Sequence, residues 1–405
     1  MIKHKKIISI YDYEKFTGGE IIERLEKKAK KLENLHVTHI NSTYYGGGVS
    51  EMLQSLTILM NNADIETGWR IIQGSPDFFS VTKKFHNAIQ GGQVNMTERK
   101  KQIFEDVVAE NALRNHIDHD FVFVHDPQPL PLIEHYRKRG PWVWQSHIDM
   151  SNPQGICLDY LKRFINKYDA IIASLEEYRL DIDKPQRYFL PAIDPFSIKN
   201  RDFREDEVKE RLEHHNIPTD LPIVAQISRF DKWKDPEGVI EAFKKARKEI
   251  DATLVLLGNV ATDDPEGEDV YSALLDQQED RILILSREDT SLVNALQCRA
   301  DVILQKSLSE GFGLTVTEAM WKKNPVIGGN TGGIKKQIVD GENGFLVNNT
   351  DEAAERIVYL IKNPKKRKEM GEKANKTVKE KFLMTRLLEQ YFDLMASFKT
   401  SFTLE

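Results

Sequence analysis

At 405 residues, the chain is longer than a single hydrophobic core usually supports, so two domains are expected. Its 40% hydrophobic and 30% charged residues exclude a disordered chain. The net charge of −6 is modest, and Lys and Arg are spread through predicted helices, which argues against a nucleic-acid partner. Two cysteines do not form a disulfide framework, and no apolar run reaches membrane-spanning length. The expected location is therefore the cytoplasm.

In the first half of the chain, short apolar segments alternate with amphipathic helices. Predicted strands cover residues 7–11, 36–41, 121–125, 142–147 and 170–174, and predicted helices include residues 49–62 and 97–115. Apolar runs this continuous are typical of strands buried on both faces of a parallel sheet. Pro191 and Pro195 interrupt the pattern. The first domain is therefore predicted to cover residues 1–193.

The second half repeats the alternation. Predicted strands cover residues 222–228, 253–258, 281–286, 301–305, 325–329 and 344–347. Asp235 is expected to cap a helix that has Pro236 at its first position. A second domain over 194–382 is predicted, and residues 383–405 form a C-terminal helix expected to return toward the first domain. The pattern predicts an α/β protein with two doubly wound, Rossmann-like domains facing a central cleft.

The stretch SEGFGLTVTE contains two glutamates on either side of a predicted helix start. Glu310 follows a strand and Glu318 lies inside the helix that begins near Leu314. Gly311 and Gly313 let the backbone approach a ligand, and the free N–H groups of the helix start favour an anion. Two lone glutamates would more simply be solvated. The strand, glycine and helix context favours binding of sugar and ribose hydroxyls instead.

Two further loops carry groups suited to phosphate. Arg229 and Lys234 follow a predicted strand, where a guanidinium and an ammonium can bind a diphosphate. Gly46, Gly47 and Gly48 precede a predicted helix and offer backbone donors at its start. This glycine loop matches neither the dinucleotide nor the P-loop pattern. The simpler alternatives are a solvated basic loop and a flexible turn.

Polar side chains also follow two buried strands of the first half. Asp126 and Gln128 come after strand 121–125, and His147 and Asp149 come after strand 142–147. The carboxyl ends of parallel strands are where ligands bind in open α/β sheets. A single histidine at such a place is more often structural. Together, these residues form a candidate sugar-binding set.

A metal site is not expected. Asp118 and Asp120 spell D-x-D, but they precede a buried strand rather than follow one, so capping or solvation explains them better. No cluster of His, Cys, Asp and Glu has the spacing of metal ligands. No cofactor is therefore expected, and Mg²⁺ would serve at most as a non-essential counter-ion for a diphosphate.

These motifs resemble glycosyltransferase family 4, a retaining family with the GT-B architecture. The resemblance rests on E-x7-E (Glu310, Glu318), R-x4-K (Arg229, Lys234) and the glycine loop, and it covers essentially the whole chain. Within that family, the chain is most similar to the glycosyltransferring trehalose synthases and the retaining trehalose phosphorylases. The segments that carry this closer similarity are STYYGGGVSE, VHDPQP, WQSHIDMS, DDPEG, SEGFGLTVTEAMWK and the downstream GGI and VDGENGFLV.

The resemblance implies a role for each candidate residue. The catalytic set is His147, Arg229, Lys234 and Glu310. The donor-binding set is Gly46, Gly47, Gly48, Arg229, Lys234, Glu310, Gly311, Phe312, Gly313, Leu314, Thr315 and Glu318. In that set Glu318 would hold ribose, Glu310 the donor sugar, and Arg229 with Lys234 the diphosphate. The acceptor-binding set is Asp126, Gln128, His147 and Asp149.

The implied reaction is retaining, metal-independent transfer of glucose from a nucleoside diphosphate glucose to glucose, forming the α,α-1,1 linkage of trehalose. Three alternatives stay open: a trehalose phosphorylase using glucose 1-phosphate, a glucosyltransferase with another small acceptor, and a non-catalytic sugar-nucleotide binding protein. The partners implied are a sugar nucleotide and a sugar acceptor, without nucleic acid or membrane. A homodimer and the identity of the base stay open. Residues 286–291 and 328–333 depart locally from the family pattern, where base and acceptor are expected to be selected.

Overall fold

The computed structural model describes residues 7–45, 47–259 and 267–402, which divide into two compact units. The first unit contains the chain up to Asp194 together with the segment from Leu383 onward. The second unit runs from Pro195 to Phe382. Each unit has its own parallel sheet and its own hydrophobic core.

The first unit contains a six-stranded parallel sheet with the order β2-β1-β3-β4-β5-β6. Its strands are β1 (His36–Asn41), β2 (Glu66–Ile71), β3 (Phe121–His125), β4 (Trp142–Gln145), β5 (Ala170–Ala173) and β6 (Gln186–Tyr188). The central strands β3, β4 and β5 are buried along their whole length. That burial explains why their sequences are almost purely apolar.

The second unit repeats this architecture with the strand order β12-β11-β10-β7-β8-β9, again entirely parallel. Its strands are β7 (Ile223–Ile227), β8 (Thr253–Gly258), β9 (Ile282–Ser286), β10 (Val302–Gln305), β11 (Val326–Gly329) and β12 (Gly344–Val347). The α/β class and the doubly wound topology predicted from the alternating pattern are confirmed.

Helices connect most of the successive strands and flank each sheet. They are α1 (Glu14–Thr17), α2 (Gly19–Ala29), α3 (Gly48–Asn62), α4 (Pro76–Ile89), α5 (Glu98–Arg114), α6 (Gly155–Ile165), α7 (Glu205–His214), α8 (Pro236–Ala246), α9 (Gly267–Leu275), α10 (Thr290–Arg299), α11 (Leu314–Trp321), α12 (Ile334–Gln337), α13 (Thr350–Lys362), α14 (Pro364–Lys381) and α15 (Met384–Phe402). Short 3-10 turns occupy Ile10–Tyr13, Leu130–Glu134, Glu176–Tyr178 and Lys232–Lys234. Among the described residues, no helix is both long and apolar enough to cross a membrane.

The predicted strand at residues 7–11 is wrong. The chain there forms a 3-10 turn at Ile10–Tyr13, because the Asp12 carboxylate accepts hydrogen bonds from the backbone N–H and hydroxyl of Ser9. Ile10 and Tyr13 are both buried, three residues apart. Residues three apart lie on the same face of a 3-10 turn, whereas they would lie on opposite faces of a strand.

Two strands were not predicted, and both lie at edges of the first sheet. These are β2 at one edge and β6 at the other. Each contains charged or polar residues, among them Glu66, Arg70 and Arg187, and most of their side chains are only partly buried. An edge strand pairs on one side only, so its sequence lacks the continuous apolar run that identified the central strands.

The final helix belongs to the first unit. Leu383 forms a parallel bridge with Ile193, and α15 packs against α2 and α3. Arg24 of α2 is paired with Glu389 of α15. The Tyr391 hydroxyl donates to the side-chain oxygen of Gln145, at the end of β4. The C-terminal helix therefore reaches the same end of the first sheet as the candidate sugar-binding residues.

Candidate functional site

The strand order identifies one crevice in each sheet. In the second unit the chain runs from β7 outward through β8 and β9, then returns to β10 on the other side of β7. In the first unit the same reversal separates β1 from β3. At such a reversal, the loops that follow the two central strands run in opposite directions and leave a crevice between them. Ligands of open α/β sheets bind in this crevice. Most of the sequence-nominated residues that the structure describes lie on loops or helix starts that follow strands of the two sheets, and Glu318 lies further along α11.

In the second unit, the loops after β7 and β10 meet. The backbone N–H of Leu308 donates to the carbonyl of Trp233 at 2.8 Å, which ties the two loops together. Lys234 Nζ lies 2.5 Å from Glu310 Oε2, with side chains 18% and 11% exposed. The buried Gln226 side chain donates to the Lys234 carbonyl at 2.8 Å and fixes the backbone below this pair. Two residues nominated separately from sequence are therefore in direct contact.

A second lysine–carboxylate pair lies in the same two loops. Lys306 is buried and its ammonium bonds to the carboxylate of Asp235. Asp235 is left-handed (φ 51°), and its side chain also accepts from the Gly238 N–H at 3.2 Å, so it caps α8 as predicted. Sequence analysis missed Lys306. Its signal was a lysine directly after an apolar buried strand, a position where an uncompensated charge is costly.

Arg229 lies half-buried in the loop after β7, before the 3-10 turn that carries Lys234. The loop therefore brings one guanidinium and one ammonium to the carboxyl end of the same central strand. A guanidinium and an ammonium beside a helix N-terminus can together bind a diphosphate.

The start of α11 is open at its backbone. Gly313 is the N-cap residue with φ 84°, a conformation that a side chain would strain, and no side chain caps the helix. Leu314 and Thr315 follow, half-buried, in the first turn, where backbone N–H groups lack the regular helical acceptor four residues earlier. Gly311 is buried in the loop just before. This helix start can therefore accept an anion on its backbone donors.

Phe312 can contribute only through its backbone. Its side chain is buried, with its ring centroid 5.6 Å from that of Phe382, and its carbonyl accepts from Gln337 Nε2 at 2.7 Å. Gly333 packs directly beneath it, since a Cβ there would lie 2.4 Å from the Phe312 Cα. Gly329 is equally close to the Ser307 carbonyl. Glycines of the 328–333 segment are thus required by packing under the loop that carries Glu310.

Glu318 is not a solvated helix residue. It is buried in α11, with Oε1 3.4 Å from Lys199 Nζ and Oε2 3.4 Å from Gln297 Nε2. Burial lowers the pKa of Lys322, one turn further on, to about 8, and the nearby Glu318 carboxylate opposes that shift. The cationic partner offsets the cost of burying the Glu318 charge.

In the first unit, the glycine loop precedes α3. Gly46 lies outside the described residues. Gly47 is the N-cap residue of α3 with extended backbone (φ −177°), and a Cβ built there would meet no heavy atom within 4 Å. Gly48 begins the helix. The backbone conformation does not require glycine at Gly47 or Gly48. Because Gly47 has no side chain, the start of α3 has no side-chain cap.

Three histidines form a hydrogen-bonded chain across the first sheet. His39 Nδ1 lies 2.9 Å from His125 Nε2, and His125 Nδ1 lies 3.0 Å from His147 Nε2. His39 in β1 and His125 at the end of β3 are fully buried, whereas His147 is partly exposed. Burial lowers the pKa of His39 to about 3, lowers that of His125 well below its usual value and lowers that of His147. All three are therefore neutral at pH 7.

Sequence analysis singled out both histidines that end buried strands, His125 and His147, but assigned a role only to His147. His39 was missed, because an isolated polar residue within a buried strand gives no hint of its neighbour. The strand order β1-β3-β4 is what places the three side chains in line.

The other first-unit residues are engaged to different degrees. Asp126 is left-handed (φ 62°), and its Oδ1 accepts from the His147 backbone N–H at 2.8 Å. Asp149 is buried, and its Oδ1 accepts from the Ser151 N–H and hydroxyl at 2.9 and 2.6 Å. Both carboxylates thus hold the loops in place. Gln128 differs, since its Oε1 is buried and has no hydrogen-bond partner among the described residues.

The D-x-D residues have a structural role. Asp118 and Asp120 lie 3.4 and 3.6 Å from Arg139 nitrogens, and Asp120 Oδ2 accepts from the His36 N–H at the start of β1. They lie before β3, away from the carboxyl ends of the strands. Among residues 7–45, 47–259 and 267–402, no group of three or more His, Cys, Asp and Glu side chains could hold a metal ion.

Comparison with known proteins identifies the family. Residues 39–180 match the family described as "Trehalose synthase, N-terminal domain", and residues 207–377 match "Glycosyl transferases group 1". The chain is 44% identical over 402 residues to the trehalose synthase of Pyrococcus horikoshii, covering 95% of both chains. The chain belongs to the trehalose synthase family. The resemblance found in the sequence motifs is thereby confirmed.

Members of the trehalose synthase family are glycosyltransferases, and the two parallel six-stranded sheets are those of the GT-B fold. A solved structure of Anabaena HepE in complex with UDP and glucose has the same fold, with a TM-score of 0.68 at 16% identity, covering 90% of this chain and 100% of that one. The trehalose phosphorylase of Pleurotus pulmonarius is 26% identical, and the match spans 86% of this chain and 55% of the relative.

Proposed function

We propose that this member of the trehalose synthase family transfers glucose from a nucleoside diphosphate glucose to glucose, forming trehalose with retention and without a metal. The observation that carries the proposal is the contact between Lys234 and Glu310, next to the open start of α11. It supplies, in one place, a cation for the diphosphate and a carboxylate for sugar hydroxyls. Two of the four expected acceptor residues, His147 and Gln128, follow strands at the carboxyl end of the first sheet.

In the proposed reaction, the bond between C1 of glucose and the diphosphate oxygen breaks as the acceptor's 1-hydroxyl oxygen bonds to C1 from the same face. The hydroxyl proton passes to the departing phosphate oxygen. Negative charge grows on the diphosphate during this step. Lys234, Arg229 and the N–H groups at the start of α11 would stabilise it more in the transition state than in the ground state. No carboxylate nucleophile is invoked.

Similarity to the Pleurotus trehalose phosphorylase supports a second candidate reaction. In that case inorganic phosphate would occupy the position of the diphosphate beside Lys234 and Arg229, and glucose 1-phosphate would be the donor. Glu318 would then have no ribose to bind. The two candidates share the phosphate-binding residues and differ in the need for a nucleoside.

Product analysis distinguishes these reactions. We expect trehalose and a nucleoside diphosphate to appear when the protein is mixed with glucose and one of ADP-, UDP- or GDP-glucose, with the same yield in EDTA. A phosphorylase would instead release glucose 1-phosphate from trehalose only when phosphate is added. Activity that is lost in EDTA and restored by Mg²⁺ would contradict the metal-free diphosphate site.

The role of Glu318 gives a separate prediction. We expect Glu318→Gln to weaken nucleoside diphosphate glucose binding by about 1.5–3 kcal/mol, because the amide keeps only one acceptor oxygen and loses the negative charge that strengthens the hydrogen bonds from ribose. Binding of glucose 1-phosphate should hardly change. Calorimetric titration of both ligands measures this difference.

The variant Lys199→Met is the matched control, since it removes the cation 3.4 Å from Glu318 and keeps the carboxylate. It should retain the preference for the ligand that contains ribose. Equal weakening of both ligands by Glu318→Gln would show that Glu318 supports the fold of the site and does not bind ribose.

A further inference from the structure

The histidine chain of the first unit has a direction. Two neutral imidazoles share a hydrogen bond only if one donates and the other accepts, so the protons of His39, His125 and His147 must all follow one sense. Either each ring carries its proton on Nδ1, or each carries it on Nε2. The two ends of the chain indicate which sense holds.

At the buried end, His39 Nε2 has no hydrogen-bond partner among the described residues. The ring is stacked on Phe123, with centroids 4.9 Å apart, and lies edge-on to Tyr391. An unpaired buried N–H is rarer in proteins than an unpaired buried acceptor. The buried end therefore favours a bare lone pair on Nε2 and a proton on Nδ1 of His39.

At the other end, the negative charge of Asp126 lies on the backbone side of His147. Its Oδ1 accepts from the His147 backbone N–H at 2.8 Å, while His147 Nε2 faces His125. Nδ1 is the ring nitrogen nearer the backbone, so the carboxylate favours a proton there. Burial lowers the pKa of His147 and Asp126 opposes this, which leaves a neutral ring polarised by one carboxylate.

We propose that His39 and His125 are positioning residues that fix His147 as the Nδ1–H tautomer. The ring then offers a hydrogen-bond donor, suited to an oxygen lone pair such as that of a sugar hydroxyl. This use of the N–H rests on the proposed glucosyl transfer, but the tautomer itself does not. His39 lies 108 positions before His147 and acts only through His125.

Nitrogen-15 NMR of histidine-labelled protein tests the proposal without substrate, so it can fail independently of the proposed function. At pH 7 the His147 resonances, assigned by their loss in His147→Gln, should show a protonated Nδ1 and an unprotonated Nε2. A protonated Nε2 in the unaltered protein would overturn the proposal. This reading requires no other variant to fold.

Two variants test whether His39 sets the tautomer. His39→Phe keeps an aromatic ring against Phe123 but removes the donor to His125, so His147 should lose its single tautomer and show both. His39→Gln keeps an amide N–H at that place and should retain the Nδ1–H form. His36→Gln, on the exposed start of the same strand, is the control and should change nothing. An unchanged His147 spectrum in folded His39→Phe would show that His39 has no positioning role.

Discussion

Replacing Lys234 with methionine is expected to lower kcat for glucosyl transfer by about 10²- to 10³-fold, or about 2.7–4 kcal/mol of transition-state stabilisation. The physical reason is that the departing diphosphate gains negative charge, and the Lys234 ammonium is one of the cations proposed to meet it. The dissociation constant of the donor should change by a smaller factor than kcat, because the diphosphate needs less charge stabilisation in the ground state than in the transition state. Steady-state kinetics with glucose and the preferred donor measures both.

The matched control is Lys232→Met, in the same 3-10 turn. Lys232 is exposed and its Nζ lies 5.9 Å from the Trp233 ring, so the change removes the same charge two residues away. Its kcat should stay within about twofold of the unaltered enzyme. If Lys232→Met matches Lys234→Met, general electrostatic attraction rather than a defined contact is responsible.

A double variant separates catalysis from local damage. Lys234→Met leaves the Glu310 carboxylate, which is 11% exposed, without its 2.5 Å partner. If the loss of this cation beside the carboxylate disturbed the local structure, Lys234→Met with Glu310→Gln would recover activity. We expect no recovery, because the cation for the diphosphate is missing and Glu310→Gln also removes the carboxylate proposed to bind the donor sugar. Recovery would show that the pair is structural and would remove Lys234 from the proposed mechanism.

The second large effect concerns stability and pH. We expect the free energy of unfolding of the first unit to fall as pH is lowered from about 6.5 to 5. The pKa values of His39, His125 and His147 are all lowered in the folded state by burial. The unfolded chain therefore binds more protons than the folded chain below pH 6.5, and acid favours unfolding.

Each histidine that stays neutral in the folded state contributes at most about 1.4 kcal/mol per pH unit in this range, so the three together contribute at most about 4 kcal/mol per unit. Other ionisable groups facing the chain are Asp126, beside His147, and Tyr391, edge-on to His39. The pKa of Tyr391 is raised by burial, so it stays neutral. His119 has a pKa lowered by partial burial and adds to the same trend.

Denaturant unfolding between pH 5 and 8 measures this slope. His39→Phe removes one titrating group. The slope of unfolding free energy against pH should therefore decrease by the contribution of one proton, about 1.4 kcal/mol per pH unit. His36→Gln, which replaces an exposed histidine of the same strand, is the control for a general effect of histidine substitution. A flat stability profile from pH 6.5 to 5 would mean that the histidine chain becomes protonated without opening the fold.

Local sequence determined most of the elements that carry the site. The buried central strands, the Asp235 cap with Pro236, and the helix that starts at Leu314 each follow from patterns within a dozen residues. The same local reasoning failed at residues 7–11, where the Ser9–Asp12 hydrogen bonds decide the conformation. It also missed β2 and β6, because edge strands lack a continuous apolar run.

The contacts within the candidate site were decided by tertiary structure alone. Lys234 and Glu310 are 76 positions apart, and His39 and His125 are 86 apart. Each pair meets because β7 lies beside β10 and β1 lies beside β3. Sequence periodicity reports which face of an element is buried, and it carries no information on which strand lies alongside. The sequence therefore determined the family, the fold class and the nominated residues, whereas the strand order determined which of them touch.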